Sequence, residues 1–328
     1  MNQLNTSNAL LEILDLKVGI KREERVINIL DGVSFSIKEG ESLGIVGESG
    51  SGKSTMGLSV LRLTPHSTHP HTSGQILFKG RDILAMDDTE LQKLRGKEIS
   101  MILQDPMTSL NPVFRIGDQV AEAIESIGSL SDKDKADRVI NALERVQIPA
   151  PETRVDAWPH QLSGGMKQRV VGAIALASQP KLLIADEPTT ALDVTIQAQY
   201  LQLLKDLQQE FNMALMFITH DFGVVARMCD RVCVMYAGQI VETASVHTIF
   251  DQPAHWYTEA LIGGVPSLDG KLDKLVSIPG APPKLGETTQ GCRFSARCPN
   301  SKDKCQIREP DVMHISDTHE VKCWYPRE

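Results

Sequence analysis

Gly47-Glu-Ser-Gly-Ser-Gly-Lys-Ser54 places three glycines, a lysine and hydroxyl side chains at the spacing G-x-x-x-x-G-K-[ST], a pattern whose chemistry is phosphate binding. Glycines let successive backbone N–H groups curl around phosphate oxygens, and a helix starting there adds the positive end of its dipole. Gly47, Glu48, Ser49, Gly50, Ser51 and Gly52 are expected to form the cradle, with Thr55 completing it at the helix start. Lys53 is placed to neutralise the terminal phosphates, and the Ser54 hydroxyl to ligate Mg²⁺. A flexible Gly/Ser turn has the same composition. The apolar run Ser42–Val46 before the segment and the helical pattern after it decide against that reading.

A second constellation is Leu182-Leu-Ile-Ala-Asp186-Glu187, an apolar strand that ends in two adjacent carboxylates. In an α/β sheet such side chains emerge at the carboxyl edge of the strands, where phosphate loops also lie. Asp186 is expected to hold the Mg²⁺ shell, and Glu187 to orient or deprotonate the attacking water for in-line transfer of a γ-phosphoryl group. Acids also terminate strands in solvent. The phosphate loop gives this pair its meaning.

The elements that must position these groups follow from patterning. Residues 10 to 58 read as strand, turn, strand and helix, a sheet delivering a loop to a helix N-terminus. From about 118 to 160, charged stretches with apolar residues at helical spacing predict a helical subdomain. Residues 163 to 250 return to buried strands alternating with helices, which predicts a mainly parallel α/β sheet. After about 252 the chain turns rich in Pro and Gly and then in cysteine, predicting a small irregular appendage. The division expected is 8–252 for the catalytic domain, with its helical insertion at about 105–162, and 253–328 for the extension.

Composition sets limits on function. The 328 residues are 41% hydrophobic and carry a net charge of −8, which argues against a protein that coats nucleic acid. The first residues lack the basic segment and apolar core of a signal peptide, and no apolar run approaches the 18 or so residues of a membrane span. A cytoplasmic location follows, with any membrane role supplied by partners. Three histidines in Pro65-His-Ser-Thr-His-Pro-His71 have no acids nearby and read as a solvated loop rather than a metal site. Cys229 and Cys233 flank or enter a buried strand and behave there as small hydrophobes. Cys292, Cys298, Cys305 and Cys323, at C-x5-C-x6-C-x17-C, instead supply four soft ligands to a loop-rich tail. Zinc and iron–sulfur centres both accept such a set, and the close C-x2-C pairs of common zinc ribbons are missing.

Leu162-Ser-Gly-Gly-Met-Lys-Gln-Arg-Val170, just upstream of the acid pair, resembles the signature motif of ABC ATPases. The resemblance implies a P-loop NTPase cassette in which Ser163, Gly164 and Gly165 face the nucleotide of an opposing subunit, as anion binding at helix starts explains. It further implies that Gln104, in MILQDP, links Mg²⁺ and water to the helical subdomain. By the same resemblance, Asp193, in TTALD, is expected to help communicate across the dimer, and His220, in FITHD, to contact the γ-phosphate. One position departs: Ile20 stands where the family usually stacks an aromatic ring on adenine, leaving Arg22 as a neighbour able to stack.

Gln104–Pro112, Pro159-His-Gln-Leu-Ser-Gly-Gly, His255-Trp-Tyr-Thr-Glu-Ala-Leu261, Ile278–Pro283 and Gly291-Cys-Arg-Phe are similar to the dipeptide and oligopeptide permease branch. Trp256 replaces the branch's usual proline. That branch implies ATP-driven import of short peptides with two membrane-spanning permease subunits, a second ATPase subunit, identical or paralogous, and an extracytoplasmic solute-binding protein. It places the chain at the cytoplasmic face of the membrane. In relatives with matching cysteines the tail resembles a [4Fe–4S] site, which is favoured here with zinc as the alternative. Two other functions are weighed. DNA-repair and translation ATPases of the same class carry long coiled-coil insertions or two cassettes, and only 59 positions separate Gln104 from Ser163. A non-hydrolysing regulator would lack Glu187 or His220, and both are present.

Overall fold

The computed structural model describes all residues except 1–8, 23–24, 106–108, 126–127, 129, 191, 265–277, 286, 288–289 and 328. Pro106–Thr108 of the Gln104–Pro112 run and Ala191 of TTALD therefore lie outside the described residues. The strands are β1 (Ala9–Arg22), β2 (Arg25–Lys38), β3 (Ser42–Val46), β4 (Thr72–Phe78), β5 (Arg81–Asp82), β6 (Ile99–Ile102), β7 (Leu182–Asp186), β8 (Ala214–Thr219), β9 (Arg231–Tyr236), β10 (Gln239–Ser245), β11 (Met313–Ser316) and β12 (His319–Val321).

Two compact units divide the chain: residues 1–37, 42–84 and 217–328 form one, and residues 38–41 and 85–216 the other. In the first, β3 is buried at every position, as a strand covered on both faces must be. It runs parallel to β9 with Ile45 opposite Cys233. β9 then turns back into β10, and β10 pairs antiparallel with β12 and β12 with β11. The same unit holds a separate four-stranded sheet in the order β2-β1-β4-β5, in which β4 runs antiparallel to β1 and β5, with Leu11 opposite Phe78 and Ile13 opposite Ile76. The expectation of one mainly parallel sheet is therefore corrected to a mixed arrangement. Apolar alternation in β1 and β2 specifies a half-buried strand but not its partner, so the sequence did not separate them from β3.

The second unit pairs β6 and β7 in parallel, with Ile102 opposite Ala185. Its helices Ile116–Glu125, Asp132–Arg145 and Pro151–Arg154 fall where helical spacing predicted them. Gly165–Leu176 belong to a helix that starts at Gly164, with Ser163 as N-cap, and Asp193 caps Val194–Phe211. Two glycines allow these helices to pack closely: a Cβ on Gly165 would stand 2.7 Å from Ile196 Cγ2, and one on Gly172 2.9 Å from Tyr200 Oη. Among the described residues no helix is long and apolar enough to cross a membrane.

Candidate functional site

The phosphate loop follows β3 and precedes the helix Lys53–Val60. Gly50 and Gly52 adopt φ of 81° and 101°, open to glycine and strained for other residues. That helix has no side-chain cap, and a helix N-terminus is a ready anion-binding position. Lys53 is 6% exposed and curls back, its Nζ donating to Gly47 O at 2.7 Å and Glu48 O at 3.0 Å. Ser51 Oγ is buried with no hydrogen-bond partner among the described residues, the condition of a hydroxyl awaiting a ligand oxygen. Ser54 and Thr55 are half-buried on the first turn, and Ser49 and Gly50 are exposed. His220 lies exposed at the end of β8, where Asp221 caps the next helix by accepting from the Gly223 and Val224 N–H groups.

In the second unit, β7 carries Asp186, 3% exposed, and delivers Glu187 at φ 45°, a left-handed conformation that a non-glycine residue adopts only when its surroundings enforce it. Thr190 Oγ1 donates to Glu187 Oε2 at 3.0 Å, and Gln104 Nε2 to the same oxygen at 3.2 Å. The chain thus brings Gln104 and Glu187 together across 83 residues of sequence. Thr190, which sequence reasoning did not single out, completes the arrangement. Ser163 Oγ accepts from the Met166 N–H at 3.3 Å, and Asp193 Oδ1 from the Ile196 N–H at 3.0 Å. Ser163 and Gly164 are exposed and Gly165 half-buried, so the helix start is open to an external group. Ile20 is half-buried near the end of β1, beside exposed Arg22.

The C-terminal segment is built onto the first unit by a buried acid. Glu242 of β10, 1% exposed, accepts from the Ala254 and His255 N–H groups at 2.7 and 2.9 Å, and its Oε1 lies 2.8 Å from His319 Nε2. His255 is fully enclosed and burial lowers it to about 4, so the ring is neutral at pH 7. Its Nδ1 accepts from the Tyr257 N–H at 3.0 Å and starts the helix Trp256–Ile262. That helix sends the Tyr257 hydroxyl to the phosphate loop, where it accepts from the Glu48 N–H at 2.8 Å. From the cysteine-rich turn, Arg297 grips the Glu48 carboxylate with both arms, Nη1 at 2.6 Å and Nη2 at 2.9 Å. No sequence spacing links residues 249 positions apart, and these contacts carried no signal before the fold was known.

Cys292, Cys298, Cys305 and Cys323 all line one tight cavity of about 10 Å³, with Phe294, Trp256 and Tyr325 among its other walls. Burial, with repulsion between neighbouring sulfurs added, pushes the Cys292 and Cys323 thiols up to about 11. Yet among the described residues no three His, Cys, Asp or Glu side chains are gathered closely enough to hold a metal ion. The arrangement of the described residues thus does not by itself support the expected metal-binding extension, although its four candidate ligands share a cavity. Cys233 is buried in β9 with its Sγ accepting from Thr243 Oγ1 at 3.4 Å, and Cys229 is 9% exposed. His66 to His71 form a short 3₁₀ helix in which His69 Nε2 lies 3.1 Å from Thr64 O.

A phosphate loop after a buried strand, a strand-end acid held by a glutamine and a serine-capped glycine helix start define a nucleotide-hydrolysing cassette. Comparison with known proteins agrees. Residues 30–190 match the ABC transporter family, and residues 241–305 the C-terminal region of oligopeptide/dipeptide transporters. The chain is 48% identical over 323 residues to a probable peptide ABC transporter ATP-binding protein of Sinorhizobium fredii, covering 98% of this chain and 96% of that one. It is 48% identical to the oligopeptide transport ATP-binding protein OppD of Bacillus subtilis, covering 96% and 88%. Identity to the dipeptide transport ATP-binding protein DppD of Escherichia coli is 45%, covering 97% of each. Among solved structures, a dimeric ATP-binding cassette holding ADP and phosphate superposes with a TM-score of 0.64 at 30% identity, covering 72% of this chain and 98% of that one. The chain belongs to the ABC transporter family of ATP-binding subunits, and carries the C-terminal region of its oligopeptide/dipeptide branch.

Proposed function

We propose that this chain is the ATP-hydrolysing subunit that powers import of short peptides. The observation that carries the reading is near full-length similarity, tail included, to peptide-transport ATP-binding proteins. Gly47 to Thr55 bind the phosphates of ATP, with Lys53 on the terminal phosphates and Ser54 and Asp186 holding Mg²⁺ with Gln104. Glu187 orients or deprotonates the attacking water, and His220 contacts the γ-phosphate. Ser163, Gly164 and Gly165 serve nucleotide held by a second ATPase subunit, with Asp193 relaying between the two sites. ATP closes the dimer, and hydrolysis reopens it. Two permease subunits receive the motion, and exposed Val113 and Phe114, at 67% and 51%, suit an apolar docking contact a few residues beyond Gln104. The complex sits at the cytoplasmic face of the membrane and is fed by a solute-binding protein.

For the tail, the proposal is that Cys292, Cys298, Cys305 and Cys323 hold a [4Fe–4S] cluster. What supports the reading is that four thiols, soft ligands of the kind such centres take, line one cavity. Iron and acid-labile sulfide assays on anaerobically purified chain test this, and stoichiometric zinc without sulfide would overturn it. The transport reading is tested by measuring ATP hydrolysis of the complex in nanodiscs with binding protein and a panel of di- to pentapeptides. Peptide-stimulated hydrolysis that disappears in Glu187→Gln is the expected result. Hydrolysis indifferent to every peptide would overturn it.

A further inference from the structure

We propose that Arg297 and Tyr257, both from the C-terminal segment, are positioning residues for nucleotide binding that act through Glu48 of the phosphate loop. Glu48 is where that loop is anchored. Its N–H donates to Tyr257 Oη, its carbonyl accepts from Lys53 Nζ at 3.0 Å and from the Ser51 N–H at 3.2 Å, and its carboxylate is held by Arg297. Moving Glu48 therefore moves the lysine and the turn that faces the phosphates.

The arm that holds it is rigid. The Arg297 side chain is 4% exposed, its Nε donates to Pro279 O at 3.1 Å and its Nη1 also to Tyr236 Oη at 3.3 Å. The guanidinium lies over the rings of Tyr236 and Phe294, 5.8 and 5.9 Å from their centroids. Tyr257 packs against the same two rings at 4.6 and 5.3 Å. A planar fork held on four sides fixes a carboxylate in a way a flexible ammonium cannot. Arg297 also cancels a negative charge inside a loop built for anions. Without it the Glu48 carboxylate, 29% exposed, stands unneutralised beside the incoming phosphates. The tail thus contributes to the cassette's own substrate site, a role that the loop motif does not contain.

The inference rests on Gly47 to Thr55 being the nucleotide site, and the test separates the two. Full-length chain is titrated with fluorescent MANT-ATP and Mg²⁺ as wild type, Lys53→Ala, Arg297→Ala, Arg297→Lys and Arg297→Ala with Glu48→Gln, each checked for its melting transition. The expectation is loss of binding in Lys53→Ala and about 10-fold weaker binding in Arg297→Ala. Arg297→Lys should fall between, and adding Glu48→Gln should recover most of the loss because the uncompensated charge is gone. In hydrolysis assays the Arg297→Ala effect should appear in KM, with kcat at saturating ATP largely retained. Wild-type affinity in Arg297→Ala, or a loss that Glu48→Gln does not relieve, overturns the proposal. Unchanged binding in Lys53→Ala overturns the site reading beneath it. If Arg297→Ala does not fold, the Arg297→Lys measurement decides, with wild-type affinity as the refuting result.

Discussion

Replacing Glu242 with alanine tests how the C-terminal segment is attached. The carboxyl group is buried on β10 and receives two backbone N–H groups, from Ala254 and His255, with His319 Nε2 beside the same oxygen as Ala254. Alanine removes the acceptor and leaves those groups buried without it, a loss of about 3–5 kcal/mol for breaking such a set from one side. Glutamine keeps one oxygen but turns an amide donor toward one of the N–H groups, for a loss of about 1–3 kcal/mol. At roughly 2–4 °C per kcal/mol, Glu242→Ala should melt on the order of 10 °C below wild type and Glu242→Gln about half as far below. Calorimetry gives the order of the variants. Hydrogen exchange gives the place, with faster exchange expected at Ala254, His255 and β12, and at the Glu48 amide that depends on Tyr257. A melting temperature within 2 °C of wild type for Glu242→Ala, with exchange at Ala254 and His255 unchanged, would refute the reasoning.

Other substitutions probe separate links. Gly47→Ala puts a Cβ 2.2 Å from the Met235 carbonyl oxygen; because backbone has little room to yield, the loop should distort and ATP binding drop below detection by fluorescence titration. Ser163→Ala removes a cap worth about 1 kcal/mol of helix stability, but on the proposed role of Ser163 toward nucleotide held by a second subunit hydrolysis should fall by about 100-fold or more. A loss in rate no larger than the change in stability explains would remove Ser163 from the site. Val113→Asp with Phe114→Ser should abolish co-purification with the permease subunits and leave MANT-ATP affinity at the wild-type value, and retained co-purification would exclude that patch.

Several elements of the candidate site were legible as structure because they are local. The phosphate loop, the strand-end acids and the serine-capped helix start each occupy a run of a few residues, and each motif states its own geometry: glycine where φ is positive, acids where a buried strand ends, serine where a helix begins. The four-stranded sheet of β1, β2, β4 and β5 was not separable from β3, because alternation fixes which face a strand buries and is silent about the strand beside it. The cysteines could be grouped by chemistry, and all four do line one cavity, but spacing alone does not set how closely four loops bring their sulfurs together.

The contacts around Glu48 show the same limit from the functional side. In the motif its position is an x, free to vary, and the reading of the sequence placed it in the cradle with its neighbours. The fold gives it a particular task, because its N–H is taken by Tyr257 and its charge by Arg297. A position that a motif leaves open is where a neighbouring segment can attach without disturbing the groups that face the ligand. The rest of the loop, Gly50, Ser51 and Gly52, has no comparable side-chain tether among the contacts described and must stay open to phosphate. On that argument, swapping the tail between relatives should preserve nucleotide affinity only when the residues at positions 48 and 297 are exchanged together. An affinity unchanged by a mismatched exchange would mean that the cassette sets its phosphate loop without help from the segment that follows it.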